Sequence, residues 1–320
     1  MKSVAVFLAI ALAGCAIGTV QHSKTLYVHA QEAANAGHDA EAILYWKEVI
    51  EQTTSEIKDG KFLMTNYFLR ASSYFELGNW DKGFEDLKQV HPGELREEEL
   101  WIYPLYAILM GDYYSQQGMT SVGENFYQSV LNKSTWKSSP IYLLALERHI
   151  NNAIKTTESR AAGRPDAEKM RTAGFEDLRK ETVKYTQDFP FSAIPHFLLA
   201  DLLLKTARPD ESLEQYLAAI ELGLPTSDLQ ESAEFQIATL IADYPISPGM
   251  KALLLRKAGQ FWTQPPAASI FHAGQNSVQK IVLENRVDLP EEIKSDPESR
   301  IRYLAVSKEG KLKIILWEKF

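Results

Sequence analysis

Glycines at 37, 78 and 118 stand 41 and 40 residues apart in matching surroundings, and a fourth stretch falls into register with Ala207 in the glycine column. Self-similarity at such a period marks an array of stacked units, because a single helical hairpin cannot bury its apolar face alone. The neighbouring columns agree. Seven residues ahead of the glycine column stand Ala30, Ala71, Gly111 and Ala200, and five residues behind it stand Ala42, Gly83, Gly123 and Ser212. All are small, and small side chains let two helix axes approach closely. Nine residues after the column come Trp46, Leu87, Tyr127 and Tyr216, and three further on come Val49, Val90, Val130 and Ala219. These larger groups fill the space between successive units.

This arrangement resembles the tetratricopeptide repeat, a helical hairpin whose first helix carries small-then-aromatic spacing and whose second helix starts just past the turn glycine. Tyr74 and Tyr114 occupy the aromatic column of the first helix. The chain departs from the family where Ala33 and Leu203 interrupt that column, and where Leu26, Tyr67, Ala107 and His196 replace the tryptophan near each unit's start. Its period also exceeds the family's usual length of about 34 residues. The resemblance implies an all-α, helical-hairpin solenoid over residues 23–264.

Between the third and fourth clear units, residues 139–189 read as a degenerate repeat whose two helices are divided by a long polar loop, Thr156 to Gly174, containing Gly163-Arg164-Pro165. Phe189-Pro190 and Tyr244-Pro245 end helices, since proline disfavours helical geometry in the residue before it. Residues 227–264, including Pro248 to Trp262, form a last helical pair that covers the open end of the array. The remaining segment, 265–320, changes period: Ile301 to Val306 and Lys311 to Trp317 favour strands and predict a β-hairpin over about 301–318. Two strands alone are marginal in water, so the hairpin is expected to dock on the last helices or to pair with a partner's strand.

The N-terminus carries the only cysteine. After Met1-Lys2, an apolar run from Val4 to Ala13 leads into small residues, the plan of an export signal. Leu12, Ala13, Gly14 and Cys15 resemble the lipobox of bacterial lipoproteins, which implies lipid on the Cys15 thiol and loss of residues 1–14. A thiolate is the nucleophile such a step needs. Residues 15–22 then form a tether. An uncleaved anchor is the competing reading, but the uncharged stretch 4–20 reaches only the lower limit for a bilayer span. Ala16 follows the cysteine, where in that family an aspartate favours retention in the inner membrane. The resemblance therefore implies an outer-membrane anchor facing the periplasm, with the inner membrane less favoured.

Composition narrows the field further. Hydrophobic residues make up 45% of the 320 and charged residues 24%, which is ordinary globular material. A net charge of −8 with no basic cluster argues against nucleic acid, which needs grouped Lys and Arg. One cysteine excludes an internal disulfide and a cysteine-based zinc site. The histidines at 22, 29, 38, 91, 149, 196 and 272 show no metal-pair spacing, and no nucleophile elbow, phosphate loop or dinucleotide fingerprint occurs. The run Glu94 to Glu99 reads as a solvated helix start. We therefore expect no catalytic residues, no metal and no cofactor.

In stacked hairpins the first helices line a concave groove that accepts a partner helix or an extended peptide. The small-residue column sets the helix phase and predicts outward positions at Phe68, Ser72 and Phe75, at Ile108, Asp112 and Gln116, and at Phe197, Asp201 and Lys205, with packing of Phe68 and Phe197 against a further helix or the C-terminal segment as the alternative. Asp112 and Asp201 hold equivalent places, each directly after the small residue, so that ligand contact or plain solvation would explain both. The expectation is a non-enzymatic scaffold, lipid-anchored to the membrane and gripping envelope proteins. Its plan resembles the repeat lipoproteins of β-barrel assembly, pilus secretin assembly and exopolysaccharide export. The alternative is a ligand-binding or regulatory lipoprotein that acts on peptidoglycan or another glycan, or recruits a cell-wall hydrolase.

Overall fold

A computed structural model describes residues 22–243, residue 247 and the backbone of four strand segments, 267–274, 277–284, 302–307 and 312–316. The signal segment 1–14, Cys15 and most of the tether lie outside the described residues, as do Pro248 to Trp262 and the turn 308–310. The chain divides into two compact units at Pro165/Asp166.

Among the described residues the first unit holds α1 (His22–Asn35), α2 (Asp39–Lys58), α3 (Leu63–Glu76), α4 (Trp80–Leu87), α5 (Ile102–Gln116), α6 (Thr120–Leu131) and α7 (Pro140–Ala161). Each helix lies against the next, and α1 also touches α3, α3 touches α5 and α5 touches α7. The odd-numbered helices thus make one layer and the even-numbered helices flank it. Burial follows the columns read from the sequence: every residue in the two small-residue columns and the two larger apolar columns is buried.

The glycine column has a backbone cause. Gly37, Gly78 and Gly118 end α1, α3 and α5 with φ of 76°, 75° and 77°. In the second unit Ala207 ends its helix in the same left-handed region, with φ of 57°. At each end the column residue's N–H donates to the carbonyl three residues back, and the following N–H donates five residues back, as in Gly78 to Phe75 at 3.0 Å and Asn79 to Tyr74 at 2.8 Å. This closure satisfies the last orphan carbonyls and turns the chain into the next helix. The same pattern recurs at Ala207 and Arg208, which donate to Leu204 and Leu203.

The small columns set how closely paired helices meet. A Cβ on Gly83 would lie 3.0 Å from the Ala71 carbonyl, and one on Gly123 would lie 2.8 Å from the Gly111 carbonyl. Ser212 occupies the same place in the second unit, where its hydroxyl donates to the Ala200 carbonyl at 2.8 Å. One contact, twelve residues in span, is therefore repeated in three pairs, which explains why nothing larger than serine stands there.

The second unit contains α8 (Ala167–Asp188), α9 (Ala193–Lys205), α10 (Pro209–Leu222) and α11 (Ser227–Asp243), each packed on the next. The expected long loop from 156 to 174 is corrected here. Residues 156–161 complete α7 and 167–174 open α8, leaving only 162–166 between them. The stretch is polar because it is exposed helix, held by pairs such as Arg171 with Glu168 at 3.1 Å, and Gly163 (φ 71°) makes the turn. Beyond α11 come β1 (Ala267–Gly274), β2 (Ser277–Glu284), β3 (Arg302–Ser307) and β4 (Leu312–Leu316). They form an antiparallel sheet in the order β2-β1-β3-β4. β1 and β2 were not anticipated from the sequence.

Candidate functional site

Where α3, α5, α6 and α7 meet with the start of α4, the first unit encloses a cleft of about 380 Å³. Glu76 comes from the end of α3, Asp112 from α5, and Glu147 and Arg148 from α7, so three carboxylates gather around one guanidinium. Arg148 Nε lies 3.3 Å from Asp112 Oδ2, and its Nη1 lies 3.4 Å from Glu147 Oε1. Tyr127 donates its hydroxyl hydrogen to Asp112 Oδ1 at 2.8 Å. Ser115 Oγ donates to Asn152 Oδ1 at 2.9 Å and approaches the Tyr127 hydroxyl at 3.3 Å. Phe75, Trp80, Leu109 and Ile154 supply apolar wall.

The electrostatics follow from burial. Glu147 is 3% exposed, and its Oε2 has no hydrogen-bond partner among the described residues. Burial pushes the Glu147 carboxyl up, against the pull of Arg148. It also pushes Glu76 up to about 7, again opposed by Arg148 and reinforced by the Asp112 charge. Burial lowers Arg148, but Asp112 and Glu147 outweigh it and hold the guanidinium firmly charged. Burial and the Asp112 charge raise Tyr127 far above an ordinary phenol, so it serves as a donor.

Beside the cleft, α6 and α7 share a second polar cluster. His149 Nδ1 lies 2.5 Å from Glu124 Oε1, and Asn152 Nδ2 donates to Glu124 Oε2 at 3.2 Å and to the Thr120 carbonyl at 3.0 Å. Burial raises Glu124, but the His149 contact outweighs it and holds the carboxyl below its usual range. Elsewhere Arg70 clamps Asp86 with two bonds of 2.7 Å between α3 and α4.

Of the nine predicted groove positions, Phe75, Asp112 and Gln116 line this cleft. The outward reading fails for most of the rest. Phe68 and Ile108 are fully buried, Ser72 is 1% exposed, and Phe75 and Phe197 are buried as well. In the first unit the reason is that an odd-numbered helix is covered on two sides, by its own partner and by the next odd helix, whereas Phe197 is covered by its hairpin partner. Phe68 meets Trp101 edge to face at 5.6 Å, Ser72 shares a hydrogen bond of 2.6 Å with Tyr27, and Phe197 meets Tyr216 at 5.8 Å. Gln116 and Lys205 are exposed. Asp112 and Asp201 are half-buried, and each accepts from the tyrosine fifteen residues on, Tyr127 and Tyr216. Neither solvation nor ligand contact was needed to explain their repetition.

Sequence reasoning also placed the whole run Glu94 to Glu99 in solvent, yet Glu99 is buried and accepts from Thr65 at 3.0 Å and from Arg96. It missed Glu76 and Arg148. No periodic signal marks those two, because they belong to different helices and different columns. His196 lies against Gln215 at 2.8 Å in the second unit. Among the described residues no group of three or more His, Cys, Asp and Glu could hold a metal ion, and no helix is long and apolar enough to cross a membrane. No protein-family model matches the chain, and no curated protein matches it.

Proposed function

We propose that this chain is a non-enzymatic scaffold: a tetratricopeptide-like helical solenoid, lipid-anchored through Cys15 and facing the periplasm from the outer membrane. In this reading it grips proteins of an envelope assembly, secretion or polysaccharide-export machine. The observation that supports it best is the recurrence, at the repeat columns, of the same left-handed helix end and the same close carbonyl contact. A chain built from one repeated hairpin offers a layer of first helices as a binding surface. The cleft of the first unit, walled mainly by odd-numbered helices, is its partner site. Cys15 supplies the tether, since several acyl chains hold a protein at a membrane where one does not.

Crosslinking in intact cells, followed by detergent extraction and mass spectrometry, tests this reading. The native chain is compared with Cys15→Ala and with the cleft variant Gln116→Ala/Asn151→Ala. A defined set of envelope proteins, lost in the cleft variant, is expected, and Cys15→Ala should leave the membrane fraction. A native chain that crosslinks to no envelope protein would sink the scaffold reading.

A further inference from the structure

We propose that the cleft of the first unit is a receptor for one basic side chain, lysine or arginine, presented by an extended segment of a partner protein. The inference rests on the scaffold reading and names the chemistry of its partner.

Three observations carry it. The first is charge: Glu76, Asp112 and Glu147 all line the cleft, against Arg148 and the exposed Lys155. The second is an unmet need. Glu147 Oε2 is buried without a hydrogen-bond partner among the described residues, while Oε1 of the same group is 3.4 Å from Arg148. A buried carboxylate oxygen left without a donor costs free energy, and an entering ammonium or guanidinium would supply that donor. The third is shape. At about 380 Å³ the cleft sits at the small end of ligand sites, room for one side chain rather than a cofactor. Phe75, Trp80 and Ile154 offer apolar wall to an aliphatic stem. Gln116 and Asn151 also line it, and a side-chain amide can both donate to and accept from a peptide backbone.

A metal ion is the weaker occupant, because no group of metal ligands forms among the described residues. A small free amine would answer the charge, but it would leave the apolar wall and the two amides unused.

The test is fluorescence anisotropy on the full chain in detergent, with two labelled pools of degenerate nine-residue peptides that differ only at the centre. One pool carries lysine there and the other carries acetyl-lysine. The lysine pool is expected to bind at least tenfold more tightly, and added salt to weaken it. Glu147→Gln should remove that preference while the far-UV circular dichroism is retained. Lys155→Glu, an exposed change that cannot unfold a core, should strengthen lysine-pool binding about threefold or more. Equal binding of both pools, no binding of either, or a preference untouched by both variants would overturn the assignment. So would butylamine competing as well as the lysine pool, which would mean that the cleft takes free amines. If crosslinked envelope partners persist in Glu147→Gln, the cleft assignment falls and the scaffold reading stands. If the native chain has no such partners, the scaffold reading falls, whatever the peptides do.

Discussion

Replacing Arg148 by methionine removes the only guanidinium among the described residues of a cleft that holds three carboxylates, and the structure sets the size of the effect. The contacts to Asp112 at 3.3 Å and Glu147 at 3.4 Å would each give roughly 5 kcal/mol at an effective dielectric of about 20. Desolvation of the guanidinium offsets most of that gain, so the pair adds little on balance. Deleting one partner is another matter, because the remaining charges stay buried, at a cost of about 3–5 kcal/mol. The cost depends on pH. Glu76, raised to about 7, and Glu147, raised by burial, both hold protons in the fold that the unfolded chain has released. For such groups stability is present at low pH and is lost as pH rises from about 4.5 through the folded values. Arg148 lowers both acids, so its loss raises them further and steepens the decline. Arg148→Met should therefore destabilise by about 4 kcal/mol at pH 8 and by clearly less at pH 5, where Glu76, raised to about 7, is neutral. Urea unfolding followed by circular dichroism at both pH values measures this, with unchanged m-values as the check on two-state behaviour. The exposed Arg171→Met, which breaks only a surface pair, should stay within about 0.5 kcal/mol. A loss below about 1 kcal/mol at pH 8, or an equal loss at both pH values, would refute the account of a shared buried cation.

Two further substitutions probe the repeat itself. Gly123→Ala places a Cβ 2.8 Å from the Gly111 carbonyl and against Ser115, so overpacking of about 1–3 kcal/mol should exceed the helix gain of about 1 kcal/mol. Gly83→Ala, at 3.0 Å from the Ala71 carbonyl and against the Phe75 ring, should be nearly neutral, and a melting-temperature comparison separates the two. At the helix ends, Ala207→Gly relieves a left-handed alanine and should stabilise by about 0.5–1 kcal/mol, whereas Gly78→Ala should destabilise by about 1 kcal/mol. Denaturant titrations in which Ala207→Gly does not stabilise and Gly78→Ala does not destabilise would show that helix closure does not depend on that conformation.

The fold was legible where one residue type is forced by one local geometry. A left-handed helix end accepts glycine almost without cost, so Gly37, Gly78 and Gly118 announce three helix ends at once, and the neighbouring columns recover even Ala207. A carbonyl pressed against Gly83, Gly123 or Ser212 leaves room only for small groups, and that contact writes the second column. Legibility failed where polarity stood in for conformation. Thr156 to Gly174 looked like a loop because it is polar, yet a helix exposed along most of its surface is polar too. The alternation in Ser277 to Glu284 is broken by the apolar run Ile281-Val282-Leu283, and β2 passed without notice.

The candidate site was less legible for a reason that lies in the layered packing. Reading outward positions from the phase of one helix assumes a single buried face, and an odd-numbered helix of the first unit has two. Phe68 and Ile108 are apolar because they face that second interface, so their burial and their residue type agree once α1, α5 and the segment bearing Trp101 are placed. What remains for a ligand is the place where the second interface is incomplete, and there the wall changes from Phe75 and Leu109 to Asp112, Glu147 and Arg148. Charged side chains at such depth are costly to the fold, and the Tyr127 hydroxyl holds part of that charge in place by donating to Asp112. The tyrosine at this column also explains why Asp112 and Asp201 recur, since Tyr216 serves Asp201 in the same way. In the first unit Glu76, Glu147 and Arg148 stand around this Asp–Tyr pair. The Asp–Tyr pair common to both units joins the two helices of each hairpin, and in the first unit the added acids surround Arg148.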